Sequence, residues 1–138
     1  MDSESFLLDT TFWIPVLRRN TPQVIGNRFS ELLRSKRAAI NEIVRLEVLV
    51  GYKTEAELNR VRIELAGLQL LELAESTWRS AASLSLHLRS VGVTTTIPDL
   101  LIAATAIENN AVLVHMDSDF DRIAQHSDLL VESFVDAA

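Results

Sequence analysis

Short, unbroken apolar runs alternate along this chain with longer stretches of helical periodicity. Phe6–Leu8, closed by Asp9, has the continuous apolar character of a strand buried on both faces. Thr10 and Thr11 then lead into Phe12, Trp13 and Ile14, where Pro15 breaks any strand. Thr21 and Pro22 read as the N-cap and first turn of a helix reaching about Lys36. Ala38–Ile40 fits a short strand. Asn41 caps a helix through Val50, stopped by Gly51. Thr54 and Glu57 form a capping box for a helix to Ala66, with Gly67 as terminator. Residues 68–73 read as a strand, 75–91 as a long helix ended by Gly92, and 94–99 as the cap of a helix ending near Asn109 and Asn110. A buried strand at 111–116, a short helix at 119–125 and a last strand at 129–134 complete the chain. Strands alternating with helices predict an α/β fold: an α/β/α sandwich whose mainly parallel central sheet is flanked by helices. No repeat, low-complexity tract or linker interrupts it, so residues 1–138 are expected to form a single domain.

Acids break this pattern at four places. Asp9 ends the first apolar run, Glu47 interrupts residues 43–50, Asp99 opens the apolar stretch from Leu100 to Ala104, and Asp117 ends the run 111–116. A carboxylate among apolar residues is costly unless something pairs with it. Glu47 falls on the same helical stripe as Ile43, Leu46 and Val50, where a solvated Glu does not belong; an ion pair with Arg45 or Arg62 is the plain alternative. Asp9 can also cap a following short helix, Asp99 can favour a helix dipole, and one of Asp117, Asp119 and Asp121 is expected to cap the next helix. Asp117 directly follows the strand and is preferred for a site, with Asp119 in reserve and Asp121 as a solvated helix residue. In parallel sheets ligands collect beyond the carboxyl ends of the strands. Asp9, Asp99 and Asp117 are therefore expected to converge there. Carboxylates so gathered repel one another, and a divalent cation removes the conflict.

Composition narrows the chemistry. Cysteine is absent, which removes disulfides, thiolate metal sites and a cysteine nucleophile. Only four glycines occur, so a Gly-rich phosphate loop is excluded. His87, His115 and His126 lack metal-binding spacing. A formal net charge of −6 argues against a broad basic nucleic-acid surface. Any contact with nucleic acid must rest on metal ions and local arginines such as Arg18, Arg19 and Arg45. The polar, acidic start is not that of a secretory signal, and no apolar run is long enough to span a membrane. A cytoplasmic protein is expected.

Four segments in register carry a family resemblance: residues 6–12, 44–52, 97–106 and 112–120, each containing one of the four acids. Together they resemble the PIN domain, specifically the VapC-type toxins. The resemblance implies a magnesium- or manganese-dependent endoribonuclease, with Asp9, Glu47, Asp99 and Asp117 as the acidic quartet. Asp9, Asp99 and Asp117 are then the expected metal ligands, and Thr11 supports the first acid. His115 departs from the Thr that many members carry there. Hydrolysis of this kind leaves 5′-phosphate and 3′-hydroxyl ends. The resemblance also implies a VapB-like antitoxin that covers a groove and inserts a basic side chain at the acids, and a homodimer; exposed apolar positions near Trp13, Phe29 or Trp78 can serve either. The competing reading is a catalytically silent PIN-like module whose acids bind a basic protein partner.

Overall fold

Five parallel strands form one sheet in the order β3-β2-β1-β4-β5, in a computed structural model that describes residues 4–137. Met1, Asp2 and Ser3, part of the polar start read above as no secretory signal, lie outside the described residues. The strands are β1 (Phe6–Leu8), β2 (Ala38–Ile40), β3 (Gln69–Leu70), β4 (Val112–His115) and β5 (Leu130–Ser133). Between them run α1 (Thr10–Leu17) and α2 (Gln23–Arg34), α3 (Glu42–Leu49) and α4 (Glu55–Ala66), α5 (Glu75–Ser90) and α6 (Ile97–Glu108), and α7 (Ser118–Gln125). Right-handed crossovers place α1–α4 on one face and α5–α7 on the other. Within the faces α1 touches α2 and α3, α3 touches α4, and α6 touches α5 and α7, while α3 also reaches across to α6. No helix among the described residues is long and apolar enough to cross a membrane.

Burial follows from position in the sheet. The central strands β1 and β2 are buried throughout, as the continuous apolar runs require, while edge strand β3 is exposed. The expected strand at 68–73 shrinks to these two residues, because only Ala39 and Ile40 offer it partners. Three helices end in a residue of left-handed conformation whose amide, with that of the next residue, bonds back into the last turn. These are Lys36 (φ 60°), Gly92 (φ 82°) and Asn110 (φ 51°). Gly67 ends α4 as expected, but as a C-cap of right-handed conformation at φ −78°.

As expected, no strand crosses Pro15, which sits inside the short helix α1 that continues to Leu17. Two local expectations change. Thr21 does not cap α2. Its hydroxyl donates to the Pro15 carbonyl (2.6 Å), and Pro22 holds the N-cap position. On α3 the buried face is Val44 and Val48, whereas Leu46 and Val50 are 62% and 70% exposed. The stripe of Ile43, Leu46 and Val50 is therefore not the core face, and Glu47 is half-buried beside the Val44–Val48 face instead.

Candidate active site

Strands β1 and β4 lie side by side where the strand order reverses, and both end at the same edge. Asp9 follows β1, is 3% exposed, and its amide extends the ladder by donating to the Val114 carbonyl (2.9 Å). Its carboxylate oxygen Oδ2 accepts the Thr11 amide (3.0 Å) and the Thr11 hydroxyl (2.6 Å), so Asp9 is also the N-cap of α1. Thr11 Oγ1 in turn accepts the Met116 amide (2.9 Å). One hydroxyl thus ties the acid at the end of β1 to the chain leaving β4. Burial raises the Asp9 pKa above the ordinary carboxylate range, against the Thr11 hydroxyl and amide, which pull it down.

Asp99 enters the same edge from α6. Thr96 Oγ1 accepts the Asp99 amide (3.3 Å), which places the carboxylate in the first helical turn, where the helix dipole favours it. The residues that follow, Leu100 to Ala106, are all buried and anchor the helix. The Asp99 carboxyl is pushed up to about 6. Burial is the largest cause, followed by repulsion from Asp9 and Asp117, with Glu47 adding less. Glu47 comes from α3, and its Oε1 accepts the Thr10 hydroxyl (2.6 Å) rather than pairing with Arg45 or Arg62. A buried strut connects the helices carrying these two acids. Asn41 Oδ1 caps α3 at the Val44 amide (2.9 Å), its Nδ2 donates to Thr105 Oγ1 (3.2 Å), and Thr105 donates to the Leu101 carbonyl (2.7 Å).

Asp117 caps α7 by accepting the Asp119 amide at Oδ1 (3.0 Å). Asp9 and Asp117 are both helix caps and both stand where the acids gather around Asp99. Asp99, Asp117 and Asp119 each present a carboxylate oxygen, and these three oxygens lie within 4.8 Å of one another. The tightest acid set therefore contains Asp119, the reserve residue, while Asp9 stands beside it as a charged neighbour of Asp99. Asp121 is not a solvated helix residue: it accepts from the fully buried His115 Nε2 (3.1 Å) and from the Ser133 hydroxyl (3.0 Å). Burial lowers the His115 pKa, opposed by the charge of Asp121 and more weakly by that of Asp9. Among the described residues, none of Asp9, Glu47, Asp99 and Asp117 takes part in an ion pair; Asp119 meets Arg122 at 3.4 Å on the surface. Hard oxygen donors that together push the Asp99 carboxyl up, with Asp119 alone meeting a surface cation, fit a magnesium- or manganese-like ion.

The sequence model of the PIN domain matches residues 6–125, from the start of β1 to the end of α7. The chain belongs to the PIN-domain family. Ribonuclease VapC11 of Mycobacterium tuberculosis is 33% identical over 132 residues, covering 93% of this chain and 98% of the relative. Ribonuclease VapC51 of the same organism is 32% identical over 120 residues, covering 86% and 85%. The DNA-bound VapBC structure from Salmonella typhimurium superposes with a TM-score of 0.79 at 25% identity, covering 95% of this chain and 98% of the other. VapBC-1 from nontypeable Haemophilus influenzae gives 0.75 at 25%, covering 94% and 98%.

In this PIN domain two site residues escaped the sequence pattern. Thr10 reads as half of a Thr-Thr pair, and only the fold shows it donating to Glu47 from 37 positions away. Asp121 sits six residues from His115, a spacing that carries no meaning until the β4–α7 turn folds back. Arg18 lines a groove with Glu47, Tyr52 and Lys53, and Arg19 faces a different groove with Trp13 and Arg60.

Proposed function

We propose that this single PIN domain, residues 1–138, is a metal-dependent endoribonuclease, the toxin of a toxin–antitoxin pair, which hydrolyses RNA phosphodiester bonds. The observation that carries the reading is Asp99, whose carboxyl is pushed up to about 6 among acids that have no protein cation. The relatives named as VapC ribonucleases supply the substrate class. Asp99, Asp117 and Asp119 would hold Mg2+ or Mn2+, with Asp9 as the fourth carboxylate of the same wall. The bound ion supplies Lewis acidity toward water and a phosphate oxygen. Thr11 holds the Asp9 carboxylate in one orientation, and Thr10 does the same for Glu47, which lines the Arg18–Lys53 groove. Arg18 and Lys53 there attract the RNA backbone locally, which a chain of net charge −6 cannot do globally.

The VapBC assemblies among the structural neighbours support an antitoxin partner. A groove of about 390 Å³ between α1, α2 and α4 suits it. Trp13, Phe29, Leu33 and Leu65 line the groove, with Arg19 and Arg60 as its cations. Trp13 is 4% exposed, and its indole N–H has no acceptor among the described residues. A second copy of the chain is the other proposed partner, with exposed Leu46, Val50 and Trp78 as candidate contacts.

Cleavage of total RNA tests the reading, with purified protein in magnesium, manganese or EDTA, and with Asp9→Ala and Asp99→Asn beside the wild type. Discrete fragments with 5′-phosphate ends, lost in EDTA and in both variants, are expected. Folded protein that cuts no RNA with either metal would mark a silent module that binds a basic partner.

A further inference from the structure

We propose that His115 is a positioning residue which, as the neutral Nε2–H tautomer, sets the Asp117 turn for metal binding. This inference rests on the metal-site reading above. The Asp117 amide can only donate, and it donates to His115 Nδ1 at 3.0 Å. Nδ1 is therefore unprotonated. The ring proton must sit on Nε2, where it is donated to Asp121 Oδ1 at 3.1 Å. Asp121 is itself held from the other side by the Ser133 hydroxyl at 3.0 Å. The His115 backbone is pinned as well, since its carbonyl accepts the Phe134 amide at 2.8 Å.

The result is a directional chain from β5 through α7 and β4 to the Asp117 peptide. Each link fixes the next: Ser133 orients Asp121, Asp121 selects the tautomer, and the tautomer presents an acceptor to the Asp117 amide. Asp117 then has its backbone held on one side and its Oδ1 held by the Asp119 amide on the other. A ring with no exposed surface, packed against Phe120 at 5.4 Å between centroids, cannot swing out to become a ligand itself. Its work is done through Asp117, as outer-shell partners act on the ligands they orient.

The test follows Mn2+ binding by calorimetry together with the melting temperature. His115→Phe keeps an aromatic ring against Phe120 but offers no acceptor. His115→Asn sacrifices the ring but returns an oxygen at the δ position. Positioning through the Asp117 amide predicts that His115→Phe loses about tenfold or more in Mn2+ affinity. His115→Asn stays within about threefold of wild type despite its lower melting temperature, the order that restored hydrogen bonding demands. Affinity that tracks melting temperature across the variants, or a His115→Phe protein that binds like wild type, would overturn the proposal. Nitrogen NMR of 15N-histidine-labelled wild type checks the tautomer without any substitution: Nε2–H is expected for His115, and Nδ1–H contradicts it. Wild type that binds no Mn2+ at all defeats the metal reading itself, a different failure from binding that is indifferent to the δ acceptor.

Discussion

Carboxylates are held in two different ways at two regions of this protein. On edge strand β5, Glu132 is gripped by Arg28 through two bonds of 2.7 and 2.9 Å. Arg28 also bonds Glu31 and lies 5.0 Å from the Phe6 ring centroid, as Arg37 does. Charge there is matched by charge. At the ends of β1 and β4, Asp9, Glu47 and Asp117 meet only neutral donors, the hydroxyls of Thr10 and Thr11 and the amides of Thr11 and Asp119, and Asp99 stands among them with no cation. Neutral donors orient a carboxylate without cancelling it. The first arrangement serves stability. The second leaves negative charge standing at a cost to the fold, a cost that the proposed cation would offset.

The largest effect on stability is expected where the charges match. Arg28→Met strands a partly buried Glu132 and should cost about 2 kcal/mol, between the exposed and fully buried limits. That corresponds to a melting temperature lower by roughly 5–10 °C. Mn2+ affinity, measured by calorimetry, should not change. A loss of metal binding in this variant would break the separation between the two regions.

The opposite sign is expected at the acidic edge. The folded-state pKa of Asp99 lies above its unfolded value of 3.8, at about 6. The folded protein therefore binds more protons than the unfolded chain between these values, and stability falls as pH rises from about 4 to about 6. Above that window the loss is complete, and Asp9, also shifted upward, adds in the same direction. Asp99→Asn should then stabilise the metal-free protein at pH 7 by about 1 kcal/mol, discounted for its partial exposure. Thermal melts in EDTA at pH 4, 6 and 7.5 check both the slope and its flattening in the variant. Saturating Mg2+ should raise the wild-type melting temperature, by mass action, and leave Asp99→Asn nearly unmoved.

The smallest stability effect belongs to Thr10→Val. It removes one hydroxyl donor from half-buried Glu47, worth about 1 kcal/mol or less. Cleavage should nevertheless fall about tenfold, as when an outer-shell partner is lost. Equal losses of stability and activity would reduce Thr10 to a packing residue.

Much of this arrangement is legible in the residues themselves. An acid placed directly after a buried strand satisfies the helix cap and the strand-end site at once, so Asp9 and Asp117 stand out locally. Asp99 does so because it opens a helix with no polar face. The parallel sheet follows from strands such as Phe6–Leu8 that are apolar without alternation. What was not legible depends on contacts between distant residues. The rotation of α3 is set by Asn41 reaching Thr105, 64 positions away, and this turns Val44 and Val48 inward in place of Leu46 and Val50. The choice of Asp119 for the tight acid set and the tie from Asp121 to His115 depend on how α7 folds back over β4. Thr21 has the look of a cap, but the Pro15 carbonyl is within its reach.

The most direct measurement is Mn2+ binding to the purified protein by calorimetry at pH 6 and pH 8, wild type against Asp99→Asn. A preformed carboxylate site predicts saturable binding to wild type, with protons released at pH 6, where Asp99 is about half protonated, and almost none at pH 8. The variant should bind at least about 100-fold more weakly, beyond what an outer-shell loss produces. Wild type and variant binding Mn2+ alike, or wild type not binding it at all, would contradict the claim that this edge of the sheet is a cation site.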